Sequence, residues 1–370
     1  MRVSFYTSWN IKCGIADYVS SIVRALENSG TTVTIIPVRD DKKTFHFVAD
    51  GKKMNHADIA HVQHEYSFFS NNRLPFVYPL MSLWHFFIFE TQIKIPKIIT
   101  LHEFSTVPGR NPFMLFLGYV FLKTYAIMLN RFDHIFVHTS RFRDTLVRCG
   151  IKSEKITDFP VPVPSPGMPP AESDVDALAF KRSLSPDDKP ILTIFGFVNA
   201  RKGYEVALHA VRANRDCTLV IAGGPQPGDR SGYFENLVTQ VKELHLEEKV
   251  KILGFLSESD LHKVMQSTDI FIAPFLDASG SASLTHVAAY QKPIIGSDIA
   301  TIKELKELGL GIELFKTGDS VDLTNTLRRL LNNKDEQRLL IELTAEFINC
   351  YSYDCFADEL KSLYERQIRK

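Results

Sequence analysis

The chain has 370 residues, of which 45% are hydrophobic and 23% charged, and its formal net charge is zero. This length exceeds one ordinary core and suits two α/β domains, and the composition is that of a soluble globular protein. Balanced charge excludes bulk attraction to nucleic acid, so any anion must be bound by local groups. The five cysteines have neither CxxC nor metal-ligand spacing, which predicts free thiols and no disulfide framework.

Short strands and helices alternate along the first part of the chain. RVSFYTS (2–8) is a predicted strand, and GIADYVSSIVRALENSG (14–30) has the apolar period of a helix. Further apolar runs follow, with helix-like segments between several of them: TVTIIPV, DIAHVQ, KIITLH and HIFVHT. This alternation predicts a parallel sheet with right-handed crossovers.

Two stretches of this part are unusually apolar, residues 74–90 and 111–129. Neither reaches the roughly 20 uninterrupted apolar residues of a membrane span. Two interpretations stay open: a pair of helices buried against the sheet, which we favour, or a surface that enters a membrane interface. The N-terminal segment MRVSFYTSWN lacks the apolar core of a signal peptide. The free thiols predict a reducing compartment, so we expect a cytoplasmic location.

Six prolines between residues 159 and 174 interrupt the alternation and predict an extended linker. Strands are expected again afterwards, with helices between them, at 190–197, 217–224, 249–255, 269–275 and 292–298. The tail from about residue 320 is helical by period. Two doubly wound domains joined in this way place a cleft between the carboxyl ends of two parallel sheets, which is where such sheets bind ligands.

The stretch FLDASGSASLTHVAAYQKPIIGSD (275–298) has a small, uncharged turn before a predicted helix. The backbone N–H groups of the helix start, the hydroxyls of Ser279, Ser281 and Ser283 and the lack of a side chain at Gly280 would suit an anion. An ordinary serine-capped helix is the alternative. Arg201 and Lys202 follow the first strand of the same domain, so they are expected at the same sheet edge and near the same phosphate. The alternative for this pair is two solvated cations on a turn.

The strand ends of the first domain carry further candidates. Gly14 stands at a helix start where backbone could approach a ligand. Polar and titratable residues follow the apolar strands, and histidine can exchange protons near neutrality. The candidates for binding an acceptor are His64, Glu65, Glu103 and Arg141, and His102 is a candidate catalytic residue. No HxxxH or HExxH spacing supports a zinc site.

Together these motifs resemble a retaining nucleotide-sugar glycosyltransferase of glycosyltransferase family 4, which has the GT-B architecture of two Rossmann-like domains. The resemblance covers nearly the whole chain and is carried by CGIADY, HVQHEYSFF, ITLHEF, FGFVNARKGYE and SGSASLTHVAAYQKPIIGSD. It implies an acceptor domain at 1–165, a linker at 166–188, a donor domain at 189–350 and a final helix, about 351–370, that packs back on the first domain.

The resemblance also implies roles for individual residues. Lys202 matches the phosphate-binding lysine, His102 the histidine beside the reacting sugar, and Gly14 the loop glycine that approaches the donor. The donor site would comprise a larger set, namely Gly14, Gly196, Asp277, Ser279, Gly280, Ser281, Ala282, Ser283 and His286.

The chain departs from the family pattern at the paired glutamates, which here read Ala278 and His286. Asp277 and His286 are the remaining candidates to contact the sugar and the ribose. The family's Gly-Arg pair reads Gly196-Phe197, which leaves Arg201 as the nearby arginine.

The resemblance implies transfer of a sugar from a UDP- or GDP-linked donor to a glycan or lipid-linked acceptor, with retention and without a metal or other cofactor. The enzyme would be cytoplasmic, with peripheral contact to the inner face of the membrane. Two alternatives stay open: a nucleotide-sugar epimerase, or a non-catalytic nucleotide-sugar-binding partner of another transferase.

Overall fold

The computed structural model describes residues 1–11, 13–70, 78–102, 112–165, 174–214, 216–226, 229–277 and 282–370. The strands are β1 (Arg2–Thr7), β2 (Thr32–Pro37), β3 (Ile59–His64), β4 (Lys97–Leu101), β5 (His134–Val137), β6 (Ile156–Asp158), β7 (Ile191–Phe195), β8 (Thr218–Ala222), β9 (Val250–Gly254), β10 (Ile270–Ala273), β11 (Ile294–Ser297) and β12 (Ile312–Phe315).

The helices alternate with the strands as far as β12, after which three helices follow one another. They are α1 (Gly14–Asn28), α2 (Thr44–Lys53), α3 (Tyr78–Gln92), α4 (Pro112–Leu129), α5 (Ser140–Arg148), α6 (Asp174–Leu184), α7 (Tyr204–Ala213), α8 (Tyr233–Glu243), α9 (Glu258–Ser267), α10 (Ala282–Ala288), α11 (Ala300–Glu307), α12 (Ser320–Asn332), α13 (Lys334–Tyr351) and α14 (Tyr353–Ile368).

The chain divides into two units, each built on one six-stranded sheet. Unit 1 comprises Met1–Pro162 and Tyr353–Lys370, and unit 2 comprises Val163–Ser352. The strand orders are β2-β1-β3-β4-β5-β6 and β12-β11-β10-β7-β8-β9. The pairings between these strands are parallel, which confirms the predicted fold class of two doubly wound α/β sheets.

Both faces of the first sheet are covered. On one face, α1 and α14 bury a common cluster that includes Val19, Phe356 and Leu360. The hydroxyl of Tyr364 in α14 lies 2.5 Å from Nδ1 of His61 in β3, which attaches this helix to the sheet. The apolar residues that recur at helical spacing in the C-terminal segment are thus the ones that α14 buries against unit 1.

The opposite face of the first sheet carries the two apolar stretches, which form α3 and α4. Their inward side chains, including Phe86, Phe89 and Tyr125, are buried with residues of β3 and β4. This packing agrees with the favoured interpretation of those stretches. Within the described ranges, no helix combines the length and apolar content of a membrane span.

The described part of the predicted linker at 166–188, residues 174–188, is not an extended linker. Residues from Val163 onward group with unit 2, and Asp174–Leu184 form the helix α6. Leu184 of α6 is buried in a cluster with Val264 of α9, and Phe180 packs against that cluster. The prolines end at residue 170, so they do not oppose a helix that starts at 174 and gains its stability from this apolar contact.

Candidate functional site

The strand order of the second sheet places the candidate donor site. β7 pairs with β10 on one side and β8 on the other, so the chain reverses its direction of winding at β7. In doubly wound sheets, ligands bind outside the carboxyl ends of the strands at such a switch point. The segments that leave β7 and β10 there contain Gly196, Arg201, Lys202, Asp277 and Ser283.

Two glycines let these segments approach each other. Gly203 has φ +65°, and a Cβ atom there would lie 2.0 Å from the carbonyl oxygen of Pro274. A neighbouring hydrogen bond of 2.8 Å runs from Leu276 N to the carbonyl oxygen of Arg201. Gly196 has φ +112°, and a Cβ there would come within 3.1 Å of Lys202 Nζ. Gly203 therefore needs glycine for both backbone conformation and space, whereas Gly196 needs it for its positive φ.

The side chain of Lys202 folds back between these segments. Its Nζ donates to Ser283 Oγ at 2.6 Å and lies 3.3 Å from the carbonyl oxygen of Phe195. It also stands 4.1 Å from the centre of the Phe275 ring. Among the described residues no carboxylate forms an ion pair with it. Burial, together with the charge of Arg201, lowers the pKa of Lys202 to about 7.

This arrangement suits a phosphate. An ammonium whose partners are a hydroxyl, a carbonyl and an aromatic face retains charge that an incoming anion would stabilise. An anion would also raise the lowered pKa of Lys202, since it favours the charged form. The Lys202 ammonium is therefore placed to bind a negatively charged group at the carboxyl ends of β7 and β10.

The other predicted donor residues lie around this lysine. Arg201 is exposed on the same turn, Asp277 is exposed after β10, and Ala282 is exposed at the start of α10. The ring of His286, on α10, packs 4.8 Å from that of Phe195, and burial lowers its pKa. Ser279, Gly280 and Ser281 lie outside the described residues.

Two features of this site were not predicted from the sequence. The ring of Phe275 and the carbonyl oxygen of Phe195 both contact the ammonium, although neither residue type signals phosphate binding. Gly223 is also required, because a Cβ there would lie 2.0 Å from the carbonyl oxygen of Gly196. The GG pair after the β8 run was the available signal for this contact.

Unit 1 has its own cluster at the ends of β3, β4 and β5. His102 Nε2 lies 2.7 Å from Oε1 of Gln63, and the backbone N–H of His102 donates to the carbonyl oxygen of His64. Burial, with contributions from nearby histidines, holds the pKa of His102 well below its usual range, so the ring is neutral. Since an amide oxygen accepts, the proton is assigned to Nε2 and Nδ1 keeps a lone pair.

His138 and Tyr18 complete this cluster and were not among the predicted site residues. The His138 ring lies 5.3 Å from that of His102, and the Tyr18 ring approaches His102 edge-on at 5.0 Å. His138 follows β5 directly, as His102 follows β4, so the equal offset was a usable signal.

The remaining predicted residues of unit 1 are more scattered. His64 is fully buried among aromatic rings, with Nδ1 2.9 Å from the Tyr125 hydroxyl, and burial lowers its pKa to about 3. This position gives His64 a packing role and no exposed surface for an acceptor. Glu65 is half-buried after β3, and Arg141 is exposed on α5. Gly14 opens α1, where an added Cβ would meet no atom within 4 Å. Glu103 lies outside the described residues.

The described residues contain neither a cluster of metal-ligating side chains nor a disulfide. Across the ranges described above, no three His, Cys, Asp or Glu side chains group as a metal site would need. No disulfide joins any of the five cysteines, all of which are described.

The second half of the chain matches a known family. The family described as "Glycosyl transferases group 1" matches residues 176–347. An uncharacterised glycosyltransferase of Methanocaldococcus jannaschii is 27% identical over 212 residues, which are 54% of this chain and 52% of that protein. The phosphatidyl-myo-inositol mannosyltransferase of Mycobacterium leprae is 26% identical over 48% of this chain and 46% of its own length. The chain thus spans about half the length of the curated relatives it matches.

Likeness to solved structures extends over both units. Anabaena HepE, solved in complex with UDP, superimposes with a TM-score of 0.74 at 15% identity, covering 99% of this chain and 100% of that one. At this identity the likeness establishes the fold alone. The family model therefore matches residues 176–347, and the chain as a whole has the GT-B fold.

Proposed function

We propose that the protein transfers a sugar from a nucleotide-sugar donor to a glycan or lipid-linked acceptor. The observation that carries this proposal is the Lys202 ammonium, held by uncharged partners at the switch point of the second sheet. A nucleoside diphosphate is a leaving group with substantial negative charge, and cations and N–H dipoles are the groups that stabilise it. The family match over this unit supports the same chemistry.

We infer that the donor carries uridine diphosphate, with a GDP-linked sugar as the second choice. Support comes from HepE, whose structure contains UDP. The mannosyltransferase of Mycobacterium leprae, named for a phosphatidyl-inositol, supports a lipid-linked acceptor. In this assignment unit 2 holds the pyrophosphate, with Arg201 and Ser283 beside Lys202, and unit 1 contributes His102 to the sugar and Arg141 to the acceptor.

The proposed reaction retains configuration and needs no metal. The bond from the anomeric carbon to the phosphate oxygen breaks, and a bond from that carbon to the acceptor oxygen forms on the same face. The acceptor proton passes to the departing phosphate oxygen, so atoms and charge balance. Lys202 stabilises the developing charge, and the neutral ring of His102 positions the sugar by hydrogen bonding.

Product analysis tests the proposal. Purified protein is incubated with UDP- and GDP-sugars and an acceptor panel, in EDTA, and both released nucleotide and glycosylated acceptor are measured. The expected result is stoichiometric release and transfer, lost in Lys202→Met and kept in Lys251→Met. Lys251, which lies on β9 of the same sheet, is a suitable control because its Nζ donates to the backbone carbonyl oxygen of Glu247. Equal turnover in the two variants would contradict the role of Lys202.

A non-catalytic nucleotide-sugar-binding role is the second candidate. It is favoured by His286, whose ring packs on Phe195 in place of the carboxylate that the family resemblance expects at this position. Tight donor binding with neither hydrolysis nor transfer would select this role. An isomerised nucleotide sugar as the only product would instead select an epimerase.

A further inference from the structure

Two phenylalanines are exposed at the carboxyl edge of the second sheet. Phe197 follows β7 and is 38% exposed, and Phe255 follows β9 and is 63% exposed. Their ring centres lie 6.2 Å apart at an interplanar angle of 74°, so one ring meets the other nearly edge-on. A single exposed apolar side chain is common on proteins, but these two form a continuous aromatic surface. We call this surface the Phe197–Phe255 corner.

Gly224, which follows β8, makes room for the corner. A Cβ atom at Gly224 would lie 2.6 Å from the Phe255 ring. The φ angle of Gly224 is not positive, so its backbone conformation does not require glycine. A hydrogen bond of 2.8 Å from Val198 N to the carbonyl oxygen of Gly224 holds the segments after β7 and β8 together. The Phe255 ring therefore rests on the β8 segment at a place where any side chain would displace it.

The corner is open to a ligand. Among the described residues of unit 2, neither Phe197 nor Phe255 is part of a buried apolar cluster or packed against one. A cavity of about 380 Å³ lies beside Phe255 and is also lined by Gln226 and Tyr233. Because the exposed part of a ring removes no apolar surface from water, it adds nothing to the stability of the unit. The position of these rings is thus better explained by a ligand than by folding.

The corner adjoins the candidate phosphate site. Gly196 precedes Phe197, and a Cβ atom at Gly196 would come within 3.1 Å of Lys202 Nζ. The strands at this edge of the sheet lie in the order β10, β7, β8 and β9. Lys202 lies at the ends of β10 and β7, and the corner extends from β7 across β8 to β9. A ligand with its phosphates at Lys202 therefore places its other end at the corner.

We propose that the Phe197–Phe255 corner binds the nucleobase of the donor, which stacks on one ring and meets the edge of the other. The assignment rests on the proposed function, because it takes the diphosphate at Lys202 to belong to a nucleotide. Offset stacking and edge-to-face contact are the arrangements that aromatic rings prefer, and the corner offers both. Since every base has a π face, the corner adds affinity for the nucleoside without distinguishing one base from another.

Calorimetry with two ligands tests the assignment. UDP has a base and inorganic pyrophosphate has none, and both are titrated into the wild type, Phe255→Ala and Phe45→Ala. Phe45 is a matched control, because it is 61% exposed but lies in unit 1. UDP affinity should fall about tenfold in Phe255→Ala, with pyrophosphate affinity unchanged, and neither should change in Phe45→Ala. Unaltered UDP affinity in Phe255→Ala, or an equal loss for pyrophosphate, would overturn the proposal.

Further variants separate stacking from general apolar contact. Phe255→Trp keeps a π face and should retain UDP affinity, whereas Phe255→Leu should lose as much affinity as Phe255→Ala. Gly224→Ala should also weaken UDP binding, since its new Cβ displaces the ring, and should have no further effect in the Phe255→Ala background. Wild-type affinity in Phe255→Leu, or additive losses in the double variant, would overturn the stacked geometry.

Lys202→Met separates a failure at the corner from a failure of the proposed function. This variant should lose affinity for both ligands, because both carry the diphosphate charge. A wild type that binds pyrophosphate as tightly as UDP keeps the phosphate site and overturns the nucleobase assignment. A wild type that binds neither ligand contradicts the proposed function, and the nucleobase assignment falls with it.

A sugar ring of the acceptor is the competing occupant of the corner. In that case Phe255→Ala would raise the KM for the acceptor and leave UDP affinity unchanged, which would overturn the nucleobase assignment. A loss of UDP affinity with an unchanged KM for the acceptor supports it.

Discussion

Lys202 Nζ lies 2.6 Å from Ser283 Oγ, although 81 positions separate the two residues in the chain. Lys202 follows β7 and Ser283 follows β10, and these two strands are neighbours at the switch point of the second sheet. The hydroxyl orients the ammonium without neutralising it. The hydrogen bond therefore holds a cation in place for a ligand while leaving its charge available.

Removing the hydroxyl should weaken donor binding without unfolding the protein. Ser283→Ala deletes one hydrogen bond to a charged group, which contributes about 1–2 kcal/mol, so UDP affinity should fall roughly tenfold. Isothermal titration calorimetry measures this change. Ser183→Ala is the control, because the Ser183 hydroxyl only donates to the carbonyl oxygen of Phe180 in its own helix. An unaltered affinity in Ser283→Ala would mean that the hydroxyl does not orient Lys202 for the ligand.

Donor binding should take up a proton. With a pKa of about 7, Lys202 is largely neutral at pH 8 in the free protein, and a bound diphosphate favours its charged form. The affinity for UDP should therefore fall as pH rises above 7. UDP is titrated calorimetrically at pH 8 in buffers of different ionisation enthalpy. The slope of the observed binding enthalpy against the buffer ionisation enthalpy should correspond to uptake of a fraction of a proton. The slope should vanish in Lys202→Met, and a slope of zero in the wild type would contradict the lowered pKa.

Two glycines should respond oppositely to alanine. Gly203→Ala puts a Cβ 2.0 Å from the carbonyl oxygen of Pro274 at a residue with φ +65°, and should reduce the free energy of unfolding by about 3 kcal/mol or more. At Gly14, where the added Cβ meets no atom within 4 Å, Gly14→Ala should be neutral or slightly stabilising. Denaturant titration compares the two variants. If Gly203→Ala were as stable as the wild type, the close approach of the β7 and β10 segments would be incorrect.

Unit 1 should lose stability in mild acid. Burial lowers the pKa of both His61 and His64 to about 3, whereas the unfolded value is near 6.5. Between these values the unfolded state binds more protons, so the stabilisation is complete above pH 6.5 and is lost as pH falls toward 3. The loss is roughly 2 kcal/mol per buried histidine at pH 5.

Tryptophan fluorescence follows this transition, because Trp9 and Trp84 both lie in unit 1. The exposed His209 provides the control, since His209→Gln should leave the dependence on pH unchanged. A free energy of unfolding that stays constant from pH 7 to pH 5 would contradict the neutral, buried state of these histidines.

The sequence predicted the central strands and one edge strand of each sheet, β2 and β9, but missed the other edge strands, β6 and β12. Apolar runs such as those of β4 and β8 are buried throughout, and their composition identifies them. β6 has three residues and β12 has four, and each is only partly buried. Such short edge strands owe their existence to pairing with a neighbour and have no pattern of their own.

Residues of the candidate site could be predicted where their position just after a strand places them at the common edge of the sheet. Lys202, Ser283 and Gly196 all follow strands that meet at one sheet edge, and the structure brings them together. Gln63 and His64 show the limit of this reasoning. Successive residues of a strand point to opposite faces, so Gln63 reaches His102 while His64 enters the aromatic core. Since both faces of β3 are buried, the sequence has no polar–apolar alternation to indicate which residue faces which side.

The central claim is that Lys202 holds the diphosphate of an activated sugar. Calorimetric titration of UDP into the wild type and Lys202→Met, at pH 7 in EDTA, tests it most directly, with thermal unfolding as a check that the variant is folded. The account predicts binding to the wild type and an affinity at least about a hundredfold lower in the variant, as expected when a charge-assisted contact to phosphate is lost. Equal dissociation constants for the two folded proteins would contradict it.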